Sequence, residues 1–438
     1  MRKKNPKKEG RISVIRLFHL YLLVAIGIFL HQHGSVCAQS AAPLSLESYI
    51  TLAKRQNPQV RISNAAVQSS MANQSSALSK LLPHVDANAQ AGYSQAQRQI
   101  PSASTGGDYS AGISANQLIF DFGKSWLSNS ASSKSVDAAR YDEQDVQQTV
   151  VLNATAAYFN YLKAQMLFAV AQDALSQASA HLEQARALFE TGKQARFTVT
   201  KAEVDVANAT VSVITAKNGV RLAKVQMDVA AGTTLSEPIV LADSLDVREQ
   251  DIAREEAVSR AMEGRPELVA LKARCEAARL QLTSAKAALL PDLNANASSG
   301  YRRTDVTDWT WNYSVGVNLS ASIYEGGALV ASVRSASAAY DQATAQLDLK
   351  KQAVASEVEQ HYYEKADAFE RISATKKLID QAAEGLDLSQ QRFAAGAAPS
   401  LEVTDAEATL AGAKSSHAQA LYDYRTAHAN LLAAMGGL

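Results

Sequence analysis

The segment WTWNYSVGVNLSASI, residues 309–323, alternates without a break. Trp309, Trp311, Tyr313, Val315, Val317, Leu319, Ala321 and Ile323 fill the odd positions, small or neutral polar residues fill the even ones, and no charge interrupts either set. Successive side chains of a strand point to opposite faces, so this period of two predicts a β-strand. Its length and its aromatic end fit a strand crossing a membrane as part of a barrel, with Trp309, Trp311 and Tyr313 as an interfacial aromatic belt. A soluble sandwich strand, shorter and charged on its wet face, is the competing reading. Val85 to Ile100 and Tyr109 to Phe120 also alternate, with the Pro-, Ser- and Gly-rich turn Pro101 to Asp108 between them, and Leu293 to Arg303 stands before the opening segment as its partner.

The pattern elsewhere has the period of a helix. From Gly123 to Phe189 and from Gly327 to Phe393 there is no proline. At 1.5 Å per residue each stretch predicts a helix about 100 Å long. In the second, Leu329, Val333, Ala336, Tyr340, Ala343, Leu347, Val354 and Val358 step by threes, fours and one seven, and Ile372, Ile379, Leu386 and Phe393 continue at sevens. That is a coiled-coil seam of period 3.5. Gly192 and Gly396 then cap the long helices, and the chain turns back antiparallel from Val199 and Leu401.

These elements occur twice. LLPHVDANAQAGY (Leu81 to Tyr93) aligns on LLPDLNANASSGY (Leu289 to Tyr301) at an offset of 208, which Asn57-Pro58 and Arg265-Pro266 share. LIFDFG on SIYEGG, FETG on FAAG, Thr200 to Glu203 on Thr404 to Glu407, and Gly232 on Gly436 follow at 204. A register held over so much chain means a duplicated unit. The expected layout is a first repeat over 39–231 with a β-hairpin at 85–120, a long helix at 123–190 and a return helix at 198–231. A joining segment at 232–254 leads to a second repeat over 255–438, with a hairpin at 293–323, a long helix at 327–395 and a return helix at 400–435. A helix of about 30 residues, closed by Leu-Leu-Pro, is expected ahead of each hairpin.

Composition changes the picture in three ways. Arg2, Lys3, Lys4, Lys7, Lys8 and Arg11 precede a mostly apolar run from Val14 to Leu30, and Val36-Cys37-Ala38 supplies small residues for cleavage, so residues 1–38 read as an export signal peptide. Taking its seven Lys/Arg and one Glu from the 43 and 43 of the whole chain leaves 36 basic and 42 acidic residues, a net charge of −6, which is not built to attract nucleic acid or anionic lipid. Only Cys275 remains beyond the signal, which excludes an intrachain disulfide. No catalytic constellation, cofactor motif or phosphate-binding loop emerges, and the eight histidines are scattered.

Four strands cannot close a barrel, and an open sheet edge cannot sit in lipid because every backbone N–H and C=O there must be paired. Closure therefore calls for several chains. The small residues Ser314, Gly316, Ser320 and Ser322 do not fill an interior, which favours a wide barrel from three chains over a plugged one from two.

The doubled layout, the Asn-Pro and Leu-Leu-Pro marks, the LIFDFG and IYEGG strand ends and the Phe-x-x-Gly tips followed by Ala-Glu resemble the TolC-like outer-membrane efflux proteins, over about residues 44 to 438. The resemblance implies a mainly α fold with membrane β: a homotrimer with a twelve-stranded outer-membrane β-barrel, a periplasmic α-helical barrel and an equatorial domain holding the joining segment. It implies docking with an inner-membrane transporter and a periplasmic adaptor protein, and export of drugs or proteins as a passive duct. By resemblance Glu402 and Asp405 are the acidic pair of the periplasmic constriction. A spacing of three places both on one helix face, and a plain solvated helix start, where acids suit the dipole, is the competing explanation. The family's tip lock uses a Tyr, an Arg and an Asp, whose positions here hold Phe393, Ala398 and Thr198. That lock is absent as written, and Lys193 and Arg196 pairing with Glu402 is the expected substitute. Gly192, Lys193, Arg196, Phe393 and Gly396 are the candidate latch and adaptor-docking tips. A trimeric adhesin or envelope coiled coil is the alternative, although adhesins of that kind carry four consecutive strands at the C-terminus.

Overall fold

The computed structural model describes residues 43–94, 106–245, 252–304 and 307–437. The expected signal segment, the hairpin turn before Gly106 and residues 246–251 of the joining segment lie outside them. Contacts divide the chain into two units. In the described part of the smaller one, Leu44 and Leu241 form a parallel bridge, with Leu44 N donating to Val240 O at 2.8 Å.

The larger unit, residues 45–235 and 243–438, holds every helix and strand of the described residues. In chain order these are α1 (Leu46–Gln56), α2 (Pro58–Ser79), β1 (His84–Ser94), β2 (Gly106–Phe120), α3 (Lys124–Glu190) and α4 (Arg196–Ala231). The same order then recurs as α5 (Arg254–Gly264), α6 (Pro266–Ala287), β3 (Asp292–Thr304), β4 (Thr307–Ser320), α7 (Ala328–Ala394) and α8 (Ser400–Ala434). Both long helices have 67 residues, and the helices ahead of the hairpins have 11 and 22 in each half.

The single helix expected ahead of each hairpin is in fact two. Proline lacks an N–H and forces the residue before it out of the α region, so Asn57 (ψ 126°) and Arg265 (ψ 120°) are extended and Pro58 and Pro266 begin new helices. Asn57 also caps α2, accepting from Gln59 N at 2.9 Å, while its Nδ2 donates to Ala230 O at the end of α4. Arg265 makes a fork to Glu357 of α7, at 2.7 and 3.1 Å.

The four strands form one antiparallel sheet in the order β1-β2-β3-β4, so the β2–β3 pairing joins the two repeats and β1 and β4 are edges. Odd residues pair with odd: Ala111 stands opposite Tyr301, and Tyr301 opposite Trp311. Directly opposed residues share a face. The alternation therefore produces one apolar face and one polar face across all four strands. β4 stops at Ser320, short of Ile323. Ser320 pairs with Asp292, and the next partner on β3 would be Pro291, which has no N–H for the ladder.

Below the sheet the helices pack side by side, α2 and α6 flanking the upper part of α3 while α4 and α8 flank its lower part, with α7 next to α6 and α8. Along α7 the partly or fully buried positions run 329, 333, 336, 340, 343, 347, then 354 and 358, then on in steps of three and four to Phe393. The 354–358 step is the place where an extra turn keeps a straight helix in register with a 3.5-residue seam. Cores of Val354, Val358, Leu268 and Leu431, and of Leu386, Phe393, Val403 and Leu410, fill that seam.

Candidate functional site

The polar face of the sheet carries Asn88, Ser110, Asn296, Ser298, Asn312 and Ser314. Ser298 Oγ and Ser314 Oγ are 2.9 Å apart, and Arg302 makes a fork to Asp108 at 3.0 and 2.7 Å. The other face is bare apolar surface. Val315 is 81% exposed, and Val317, Leu319, Val85 and Ile113 are exposed as well. At the far end of this face stand Tyr93, Tyr109, Tyr301, Trp309, Trp311 and Tyr313. The rings of Trp311 and Tyr313 are 5.2 Å apart, and Trp311 Nε1 donates to Ser299 Oγ at 2.9 Å.

A second aromatic group closes the helical end. A register shift between Leu118 and Phe120 sets Phe120 opposite Leu293 and turns it to the apolar side, where its ring meets Phe122 at 4.8 Å. Trp126 and Tyr324 are exposed at the same level of the chain. The 11 steps from Tyr109 to Phe120 span about 36 Å at 3.3 Å each, or about 26 Å of height at a 45° tilt, which matches the apolar band of an outer-membrane barrel. Sequence alternation misses this second belt because the bulge breaks the period of two.

At the opposite end each hairpin turns on a left-handed glycine, Gly192 and Gly396, both at φ 73°. Lys193 N donates to Leu188 O, and Ala397 N to Arg392 O, so the last carbonyls of α3 and α7 are satisfied by the turn itself. Phe393 is fully buried, its ring 4.9 Å from that of His181 and packed with Leu386 and Val403. It is hairpin core and is unavailable to dock a partner, because it is the last residue of the heptad seam. Phe197, 78% exposed in the first tip, and Leu401 in the second present the apolar surface there instead. Phe197 lies outside any seam, a signal legible in the sequence.

Glu402 and Asp405 begin α8, Asp405 exposed and Glu402 partly so. Glu402 accepts from Arg392 Nη1 at 2.7 Å, within its own hairpin. The expected pairing of Glu402 with Lys193 or Arg196 is not made: among the described residues neither base has an ion-pair partner. Arg392 sits one turn before the glycine and meets the first turn of α8 directly, so it outcompetes groups from the other hairpin. Two turns along α8 the acidic pattern changes character. Glu407 is buried, its Oε1 has no hydrogen-bond partner, and burial followed by the charge of Asp205 pushes its carboxyl up to about 7.

The model of the family described as outer membrane efflux protein matches residues 49–233 and 257–437, one span for each repeat. The chain belongs to that family. Among its relatives, Outer membrane protein TolC of Escherichia coli (strain K12) is 27% identical over 426 residues, covering 90% of this chain and 85% of the relative. Outer membrane efflux protein BepC of Brucella suis biovar 1 is 24% identical over 94% of this chain and 90% of its own. The fold is that of the CmeC outer membrane channel of Campylobacter jejuni (TM-score 0.81, 17% identity, 90% of this chain and 85% of that one). It is equally that of the open-state MtrE outer membrane channel of Neisseria gonorrhoeae (TM-score 0.77, 18% identity, 90% and 89%). This efflux-family member is thus an outer-membrane exit duct with a periplasmic portion, and the adhesin alternative falls away. Its bare apolar sheet face has the chemistry of a barrel's lipid side and its polar face that of an aqueous lumen.

Proposed function

We propose that three copies of the chain close the duct, β4 of one pairing with β1 of the next to make a twelve-stranded barrel in the outer membrane. The observation that carries this reading is the four-stranded sheet with two unpaired edges and one wholly exposed apolar face. In lipid those edges have to find partners, and a closed ring of identical chains supplies them. The helical layer follows the same logic. α4 carries an exposed stripe of Val204, Val211, Ile214, Leu222, Val225 and Val229 at coiled-coil spacing, placed to meet α7 of the neighbour.

Cargo enters at the hairpin tips. Glu402 and Asp405 of three chains converge there as a ring of carboxylates that favours cations, with Arg392 holding Glu402 in place. Phe197 and Leu401 offer apolar footing to a periplasmic adaptor, which couples the duct to an inner-membrane transporter. The cargo is a drug or a secreted protein. Alkaline protease secretion protein AprF of Pseudomonas aeruginosa, 29% identical over 38% of this chain, supports the second class. Planar-bilayer recording tests the ring: the double substitution Glu402→Gln, Asp405→Asn is expected to reduce cation over anion preference, read as a reversal-potential shift in a salt gradient. An unchanged reversal potential would remove the carboxylates from the pathway.

A further inference from the structure

The two hairpin tips of one chain meet at a polar cluster that the duct reading leaves unused. On α8, Ser400, Thr404 and Glu407 follow one another at helical spacing and face the first hairpin. Ser400 Oγ lies 2.7 Å from His181 Nε2 of α3, and Thr404 Oγ1 donates to Asp205 Oδ2 of α4 at 3.2 Å. Glu407 is 9% exposed, and its Oε1 is an orphan. An ionised carboxylate so placed, with a second carboxylate facing it, is penalised twice, by lost solvation and by like charge.

The repeat supplies an internal comparison. Glu203 occupies the matching place in the first hairpin, where it is half exposed and accepts from Arg186 Nη2 at 3.1 Å. The residue standing in for Arg186 in the second hairpin is Gln390. One copy of the unit thus keeps a solvated, paired glutamate and the other a buried, unpaired one. The groups that face Glu407 are few. From α4 comes Asp205, whose other oxygen accepts from Lys201 Nζ at 2.6 Å, and from α3 comes His181, held by burial below its usual range. On α7, Ser389 is buried, and Leu386 and Phe393 pack with Val403 and Leu410, the α8 residues one turn to either side of Glu407. Two carboxylates and a lysine offer too few oxygens for a divalent cation. A single proton on Glu407 does meet the need, turning the orphaned carboxylate into an O–H donor.

We propose that Glu407 and Asp205 form a proton-operated latch between the two hairpins of one chain, shut when Glu407 carries a proton and released when it ionises. Burial holds His181 below its usual range, and Lys201 is already engaged by the other oxygen of Asp205, so neither base reaches the orphaned oxygen of Glu407. The latch goes beyond the constriction reading and does not depend on it: Glu402 and Asp405 sit on the exposed side of the same helix.

The test uses spin labels at Ala195→Cys and Ala397→Cys in the exported protein with Cys275 changed to serine, diluted with unlabelled protein in detergent, and pulsed electron resonance distances at pH 5.5 to 8.5. The tip separation is expected to widen as pH rises, half complete at about pH 7. Glu407→Gln is expected to hold the shorter distance throughout. Asp205→Asn removes the facing charge and is expected to move the midpoint downward, so it carries the test should the glutamine variant fail to assemble. A separation independent of pH, or a transition that persists unshifted in the variants, overturns the latch. The distance reports on the hairpins whether or not the carboxylate ring is real, since selectivity is measured separately.

Discussion

Gly232 is where the duplicated architecture is most exposed to a single methyl group. It ends α4 at φ +72°, and a Cβ there would stand 2.7 Å from Asn57 Cα, 2.9 Å from Gln56 O and 3.0 Å from Asn57 N. All three are backbone atoms of the α1–α2 junction. Pro58 and the Asn57 cap fix that junction, so none of the three can swing aside as a side chain would. The left-handed conformation costs a non-glycine residue about 1–2 kcal/mol, and forced overpacking adds about 1–3 kcal/mol. Gly232→Ala is therefore expected to lose about 2–5 kcal/mol. Gly192 is the control: its φ is +73°, yet nothing lies within 4 Å of a Cβ, so Gly192→Ala carries only the conformational part of about 1–2 kcal/mol. Gly436, the repeat-mate of Gly232, falls between, with Gly264 O at 3.0 Å and Arg265 Cα at 3.1 Å. Thermal loss of helical circular dichroism in detergent, at one scan rate because a large chain's operational stability is a rate, should rank the variants 232, 436, 192 from most to least destabilised. Equal shifts at 232 and 192 would refute the packing argument and leave backbone conformation as the whole effect.

Two further outcomes are expected. Val315→Lys on the apolar sheet face should cost about 2–4 kcal/mol by the depth rule for barrel walls, while Ser314→Lys on the polar face should assemble normally; heat-modifiable mobility of outer-membrane fractions separates them, and equal assembly would mean the faces are assigned the wrong way round. Burial, and after it the charge of Glu267, holds the Asp145 carboxyl above its usual range. A raised folded-state value makes the ionised form the penalised one, so the penalty is absent below the ordinary value of 3.8 and complete above the raised one. Asp145→Asn should therefore raise the thermal midpoint at neutral pH and leave it unchanged near pH 3, and a midpoint gain of the same size at both would contradict the assignment.

The periodicities were enough to name the strands and the long helices. A period of two marked the strands and their two faces, a 3.5-residue seam marked α7, and the glycines at 192 and 396 marked the ends of the long helices, because each of these is a local steric or solvation rule that acts on neighbours in sequence. The offset of the repeats was visible for the same reason. What the chain alone could not express were choices made between distant groups. Pro58 and Pro266 split each expected single helix in two, and only the folded chain shows Asn57 and Arg265 at the breaks gripping Ala230 and Glu357. The bulge that turns Phe120 outward exists only against β3. Phe393 reads as a tip residue and is core, and Glu402 is taken by Arg392 because the Gly396 turn brings them together across 10 residues. Glu203 and Glu407 are the same letter at matching places in the two repeats, and burial and partner separate them: one faces water beside Arg186, the other faces a second carboxylate between two hairpins that meet only in three dimensions.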